Sequence, residues 1–352
     1  MINTSKIEIG VRKILVRNMG LRNGEKLLVI TDSPSYHDLR TLNIKSLDDM
    51  LKRNLLASNI AEIAERRFPK CKTSFTIYPS TGRNSAEPEK TVATNLKKYD
   101  VILAITTFSI SHTDARQSAT KKGVRIASMP SVLEDMFYDT GSMTADYERI
   151  ASETTSLIKI LNSTSMIRIC TKTGTDFCFS IKGRKGSSDT GILNSRGDWG
   201  NLPAGEAYIA PKEGTANGIV VIEAGWFPNL KRNMKLVFES GNLKKIVGGG
   251  EVRKTLLNLI QPQNKTSTYI ARRCLAEFGI GTNPKAKRRD NILEAEKMKG
   301  TIHIAIGDNS HMGGLNKADL HQDFVIRAPT VKMDNKIVLK NGKVTRNFIK
   351  KH

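Results

Sequence analysis

Among the segments around the chain's six histidines, the most useful triplet is His321-Gln-Asp323, whose types and spacing could do chemistry. On a β-strand, residues i and i+2 leave the same face, so His321 and Asp323 would project together as a pair of metal ligands. His303 lies in Gly300-Thr-Ile-His-Ile-Ala-Ile-Gly307. Alternation there puts Ile302, Ile304 and Ile306 on one face and the imidazole on the other. Glu277 is expected in the last turn of a helix running from Ser267 to Phe278 and ending at Gly279. A helix C-terminus disfavours a carboxylate by about 0.3–1 kcal/mol. Glu277 therefore calls for a positive partner, either Arg273 one turn back or, more effectively, a metal ion. In Leu202-Pro-Ala-Gly-Glu206, Pro203 and Gly205 would make a tight turn that presents Glu206 at the start of a strand. Three carboxylates and two imidazoles, with no thiolate, suit zinc, cobalt or manganese rather than an iron–sulfur centre. Three carboxylates and one hydroxide would balance two divalent ions, as in hydrolases that clamp the attacking and leaving atoms between two metals.

The elements that must carry these residues read as two domains. Lys26–Asp32, Ser74–Tyr78, Val101–Ile110 and Val124–Ser128 are apolar runs expected to be strands. Helices are expected over Ser46–Phe68, with Ser46 as N-cap, around Val92–Lys98, and over His112–Lys122. Continuous apolar strands joined by helical crossovers indicate a parallel sheet covered on both faces. The first domain, residues 1–164, is thus predicted to be α/β with a mostly parallel, flavodoxin- or Rossmann-like sheet. Thr31-Asp-Ser-Pro-Ser35 after the first strand lacks the G-x-G-x-x-G fingerprint, which argues against a dinucleotide. From about residue 165 to 352 strands and turns dominate, opening with a hairpin over Met166–Lys182 and closing with one at Lys340-Asn-Gly-Lys343. This is predicted to be an α+β, metal-binding domain.

The bulk numbers set limits. The chain has 352 residues, with 56 Lys+Arg against 34 Asp+Glu, a formal charge of +22. Its basic residues fall in small clusters along the whole chain, and aromatics (6%) do not interleave with them as a stacking platform would require. Nucleic-acid binding is therefore not expected despite the charge. No run approaches the roughly 18 apolar residues of a membrane span, and the first residues lack a signal peptide's apolar stretch. A cytoplasmic protein is predicted. Cys170 and Cys178 flank the turn at Gly174 and could face each other as thiols; the four cysteines are too scattered for a disulfide framework.

Four motifs in order carry a family resemblance: Leu202-Pro-Ala-Gly-Glu-Ala-Tyr-Ile-Ala-Pro211, Ala276-Glu-Phe-Gly-Ile-Gly-Thr-Asn-Pro284, Gly300 to Gly307, and His321-Gln-Asp323. Together they resemble the aminopeptidase T/aminopeptidase S family of metallopeptidases, sometimes labelled leucyl aminopeptidases. Ser111-His-Thr-Asp-Ala-Arg116 and Gly123-Val-Arg-Ile-Ala-Ser-Met-Pro130 extend the resemblance to the N-terminal part. It implies a homodimeric hydrolase with two divalent ions (zinc, cobalt or manganese) held by Glu206, Glu277, His303, His321 and Asp323. Glu277 would also shuttle the proton during removal of N-terminal residues from peptides. The family's catalytic tyrosine is replaced by Ser310, which leaves the neighbouring His311 as the candidate donor. A second branch of the fold family comprises ring-cleaving dioxygenases of dihydroxypyridines, with one iron held by two histidines and a carboxylate. The glutamates at 206 and 277 favour the hydrolase. The remaining alternative is a basic binding protein on a catalytically degenerate scaffold.

Overall fold

A computed structural model describes residues 2–345. The chain divides into two compact units, Met1–Glu148 with Gly191–Ala204, and Arg149–Thr190 with Gly205–His352. A single cut at 164/165 misses both the earlier boundary and the return of 191–204 to the first unit. That return adds the strand Trp199–Asn201 to the first unit's sheet.

The first unit holds a five-stranded sheet in the order Lys72–Pro79, Lys26–Ser33, Val101–Ala104, Arg125–Ser128 and Trp199–Asn201. Every pairing in it is parallel, which is the 2-1-3-4-5 order of a doubly wound fold. The long helix is Ile44–Arg67 and begins two residues before the expected start. Asn43 caps it, its side chain accepting from the Ser46 N–H at 2.9 Å. The strand from Val101 stops at Ala104 rather than running to Ile110. The Asp32 carboxylate takes the N–H groups of Thr107 and Phe108 instead, at 2.6 and 3.1 Å, and folds that segment into a loop.

Two antiparallel sheets make the second unit, more strand-rich than an α+β reading anticipates. One has eight strands, ordered Asn242–Gly248, Met234–Glu239, Asn217–Ile222, Asp176–Ser180, Met166–Cys170, Thr330–Met333, Lys336–Lys340 and Lys343–Val344. The other has five: His321–Arg327, Thr301–Gly307, Leu275–Gly281, Glu206–Ile209 and Ser187–Asp189. Their inner faces share one core that includes Phe177, Phe179, Phe238, Phe278, Ile302, Ile304, Ile306 and Phe324. Phe179 and Phe278 meet across it with ring centroids 5.5 Å apart. Each such side chain contributes roughly 1.5–3 kcal/mol by leaving water, which anchors the five-stranded sheet from behind.

The expected helix from Ser267 to Phe278 ends at Arg272, and Leu275–Gly281 is a strand. Glu277 is therefore not at a helix terminus. In the first hairpin, Cys170 pairs with Asp176 and Cys178 with Arg168, so the two thiols do not face each other. All four cysteines are free. Among the described residues, no helix is long and apolar enough to cross a membrane.

Candidate metal centre

The five-stranded sheet has an oily face and a polar face, and strand alternation decides which side chain goes where. Ile302, Ile304 and Ile306 turn into the core, so His303 turns away from it. On the adjacent strand Phe278 and Ile280 enter the core, leaving Glu277 and Gly279 opposite. A register shift between Leu275 and Glu277 lets Leu275 join the core although it is two residues from Glu277. Such bulges re-aim a side chain, and this one sets Glu277 beside His303. Glu206 opens the next strand. Its partner in register is Gly281, and that of Tyr208 is Gly279. At the other edge His321 and Asp323 share the face at i and i+2, as their spacing predicts.

The five predicted residues converge. His303 Nε2 lies 3.3 Å from Glu206 Oε2 and 3.3 Å from Glu277 Oε1. His321 Nε2 lies 3.1 Å from Glu277 Oε2 and 3.5 Å from Asp323 Oδ1. Glu206, Glu277 and His303 bring one donor atom each within 4.8 Å of the others, and so do Glu277, His321 and Asp323. Glu277 belongs to both groups. The first group is buried; the second is half-open at His321 and Asp323. Glu206 Oε2 and His303 Nδ1 are buried without a hydrogen-bond partner among the described residues. An unsatisfied buried carboxylate oxygen costs about 1–3 kcal/mol or more, so this donor set fits a bound cation better than an empty sheet face.

Charge is arranged accordingly. Burial alone would raise the pKa of Glu277, but the hydrogen bonds and charges of His303 and His321 hold it well below the usual carboxylate range. Burial works against an imidazolium at 303. The Glu277 hydrogen bond and the Glu206 and Glu277 charges overcome it and lift His303 to about 9. His321 is likewise lifted against burial, chiefly by Asp323 and then Glu277. Its Nδ1 is 2.8 Å from the Asp308 carbonyl. That contact fixes the ring and leaves Nε2 turned to the carboxylates, the usual outer-shell arrangement of a metal-binding histidine.

Several neighbours escaped sequence reasoning. Lys297, on the helix Ile292–Lys297, has its Nζ on Glu206 Oε1, 3.0 Å from Glu296 Oε1 and 3.4 Å from Asp189 Oδ2. Burial disfavours its charge, but Glu206, Glu296 and Asp189 hold the pKa well above the usual lysine value. Glu296 is pushed by burial to about 8. Tyr208 is pushed up by burial and by the Glu277, Glu206 and Asp189 charges. Only the period-2 rule could have placed Tyr208, two residues from Glu206. His311, the expected donor, sits on a short turn with Nδ1 2.7 Å from Asp308 Oδ2 and its ring edge-on to His321, centroids 5.8 Å apart. The Ser310 hydroxyl donates to Asp308 Oδ1 at 2.9 Å.

A family model described as NicX, 2,5-dihydroxypyridine 5,6-dioxygenase, matches residues 12–346. The chain belongs to the NicX family. It is 26% identical over 261 residues to a 2,5-dihydroxypyridine 5,6-dioxygenase of Pseudomonas putida KT2440, covering 69% of this chain and 70% of that protein. The solved structure of 2,5-dihydroxypyridine dioxygenase from the same organism superposes with a TM-score of 0.69 at 18% identity, over 97% of this chain and 96% of that one. AmpT from Thermus thermophilus gives a TM-score of 0.65 at 14% identity, over 97% and 99%. At these identities both structures establish the fold alone.

NicX membership overturns the aminopeptidase reading, and with it the hydrolase and protease assignments. The fold is shared by chains named as dioxygenase and as AmpT, and a scaffold does not fix the reaction. The dihydroxypyridine branch, set second on the sequence because of Glu206 and Glu277, is the one the family match supports.

Proposed function

We propose that this NicX-family chain is a ring-cleaving dioxygenase of a dihydroxylated pyridine, working with one ferrous ion held by Glu277, His321 and Asp323. The observation that carries the reading is the convergence of those three donors on the half-open side of the sheet, in a chain matched to NicX over nearly its whole length. Imidazole and carboxylate donors with room for further ligands are the hallmark of non-haem iron oxygenases. This set has one histidine and two carboxylates where the usual triad has two histidines and one carboxylate. His303 is the second imidazole, 3.3 Å from Glu277.

When bound, ferrous iron supplies the one-electron chemistry by which a closed-shell aromatic ring reacts with dioxygen. The protein's own groups do the rest. Glu277 stays ionised and binds without first losing a proton. The Asp308 carbonyl keeps His321 in the orientation that offers Nε2. Tyr208 remains a neutral phenol and a hydrogen-bond donor on the same face. His311, oriented by Asp308 and set against the His321 ring, is the group we assign to accept the proton of a ring hydroxyl.

The test is anaerobic loading with ferrous iron, followed by oxygen uptake with 2,5-dihydroxypyridine and related hydroxypyridines. Uptake accompanied by loss of the ring's absorbance is expected. Iron-loaded protein that consumes no oxygen with any of these substrates would overturn the reading.

A further inference from the structure

We propose that the Lys297 ammonium stands in for a second metal ion and so restricts the centre to one. The inference rests on the reading of Glu277, His321 and Asp323 as the metal site. It concerns the other donor group, Glu206, Glu277 and His303, which by residue type could hold an ion as well. Glu277 is shared with His321, whereas Glu206 belongs to this group alone, and its Oε1 carries the lysine. The same Nζ is 3.0 Å from Glu296 Oε1 and 3.4 Å from Asp189 Oδ2. Three carboxylates thus surround a fixed cation in a buried pocket. A divalent ion coordinated by Glu206 would share that carboxylate with the ammonium. Like charges held so close are poorly screened away from water.

The lysine is built in rather than passing through. Asn291 caps its helix by accepting from the Glu294 N–H at 3.1 Å. The Lys297 carbonyl accepts from the Asn283 N–H at 2.8 Å. The far end of the helix rests on Gly281, where a β-carbon would come within 2.2 Å of the Met298 carbonyl oxygen. Glycine at 281 therefore permits the approach that brings Lys297 against the sheet. Without the ammonium, Asp189, Glu206 and Glu296 lose the cation they share, and their oxygens are donors of the kind that suits a hard or borderline divalent cation.

Anaerobic titration of the metal-free protein with cobalt(II), read by its visible absorbance and by elemental analysis after desalting, tests this. Wild-type protein is expected to retain one cobalt per chain and Lys297→Met two. Two cobalts in the wild type, or one in folded Lys297→Met, would overturn the proposal. Should Lys297→Met not fold, Glu206→Gln reads the same point. One cobalt with affinity changed by less than about threefold is expected, whereas a loss matching or exceeding the roughly 10–100-fold typical of a metal-site partner would make Glu206 a ligand and overturn it. Wild-type protein that binds no cobalt would bring down the metal site and this proposal together. One cobalt in the wild type, two in Lys297→Met and no oxygen uptake by the iron form would fail the dioxygenase reading while upholding the role of Lys297.

Discussion

The ring of His303 lies directly against Gly279. A β-carbon at 279 would fall 2.1 Å from Cε1 and 2.2 Å from Nε2. The two residues are register partners on neighbouring strands, so the absence of a side chain at one is what lets the other lie across the sheet. Gly279→Ala must push the imidazole towards Glu277 or spread the strands. Overpacking of this kind costs about 1–3 kcal/mol. Urea denaturation should show that loss, and titration with ferrous iron should show weakened binding in the same variant.

The histidines make the metal-free protein sensitive to alkali. His303 is raised from its ordinary 6.5 to about 9 in the folded state. Its contribution to stability is therefore complete below about pH 6.5 and disappears as pH climbs through 9. At 1.36 kcal/mol per unit, the loss is on the order of 3 kcal/mol. Glu277 acts in the opposite sense. Its depressed pKa adds stability above its unfolded value near 4.5, lost as pH falls through the folded value. Metal-free protein should accordingly be most resistant to urea at about pH 5–6.5 and weaker at pH 9. Binding of a divalent ion displaces the imidazole protons. Metal affinity should rise over this range, and chelation should cost most stability at the alkaline end.

Ligand and proton-transfer roles separate by readout. Asp323→Ala removes a donor of the half-open group and should lower metal affinity by more than the roughly 10–100-fold seen when only an outer-shell partner is lost. His311→Ala leaves that group intact. Iron content should stay near wild type while kcat for oxygen uptake falls by about 10²–10⁴, the usual worth of a general base. Elemental analysis and an oxygen electrode on the same preparations distinguish the two.

Much of this was legible because it is local. The i, i+2 spacing of His321 and Asp323, and the isoleucine alternation that ejects His303, depend only on strand geometry. Four of the first unit's five parallel strands were equally plain as apolar runs; the short Trp199–Asn201 strand, arriving from far along the chain, was not. Glu277 was misplaced for a specific reason. Ala271-Arg-Arg-Cys-Leu-Ala-Glu277 reads as a continuation of the helix, and the register shift after Leu275 erases the alternation that would have revealed a strand. Lys297 was invisible because Glu294-Ala-Glu-Lys297 resembles any solvated helix face. Its three carboxylates arrive from residues 189, 206 and 296, and only the fold assembles them. The reaction was misassigned because one scaffold is common to differently named enzymes, and five side chains that the fold brings together do not state how many ions they hold.

The most direct test is the fate of the oxygen atoms. Protein loaded anaerobically with ferrous iron should convert 2,5-dihydroxypyridine under oxygen-18-labelled dioxygen into a ring-opened product carrying both labelled atoms, with one dioxygen consumed per ring lost. A product with no label, or no ring opening by protein shown to hold its iron, would contradict the account.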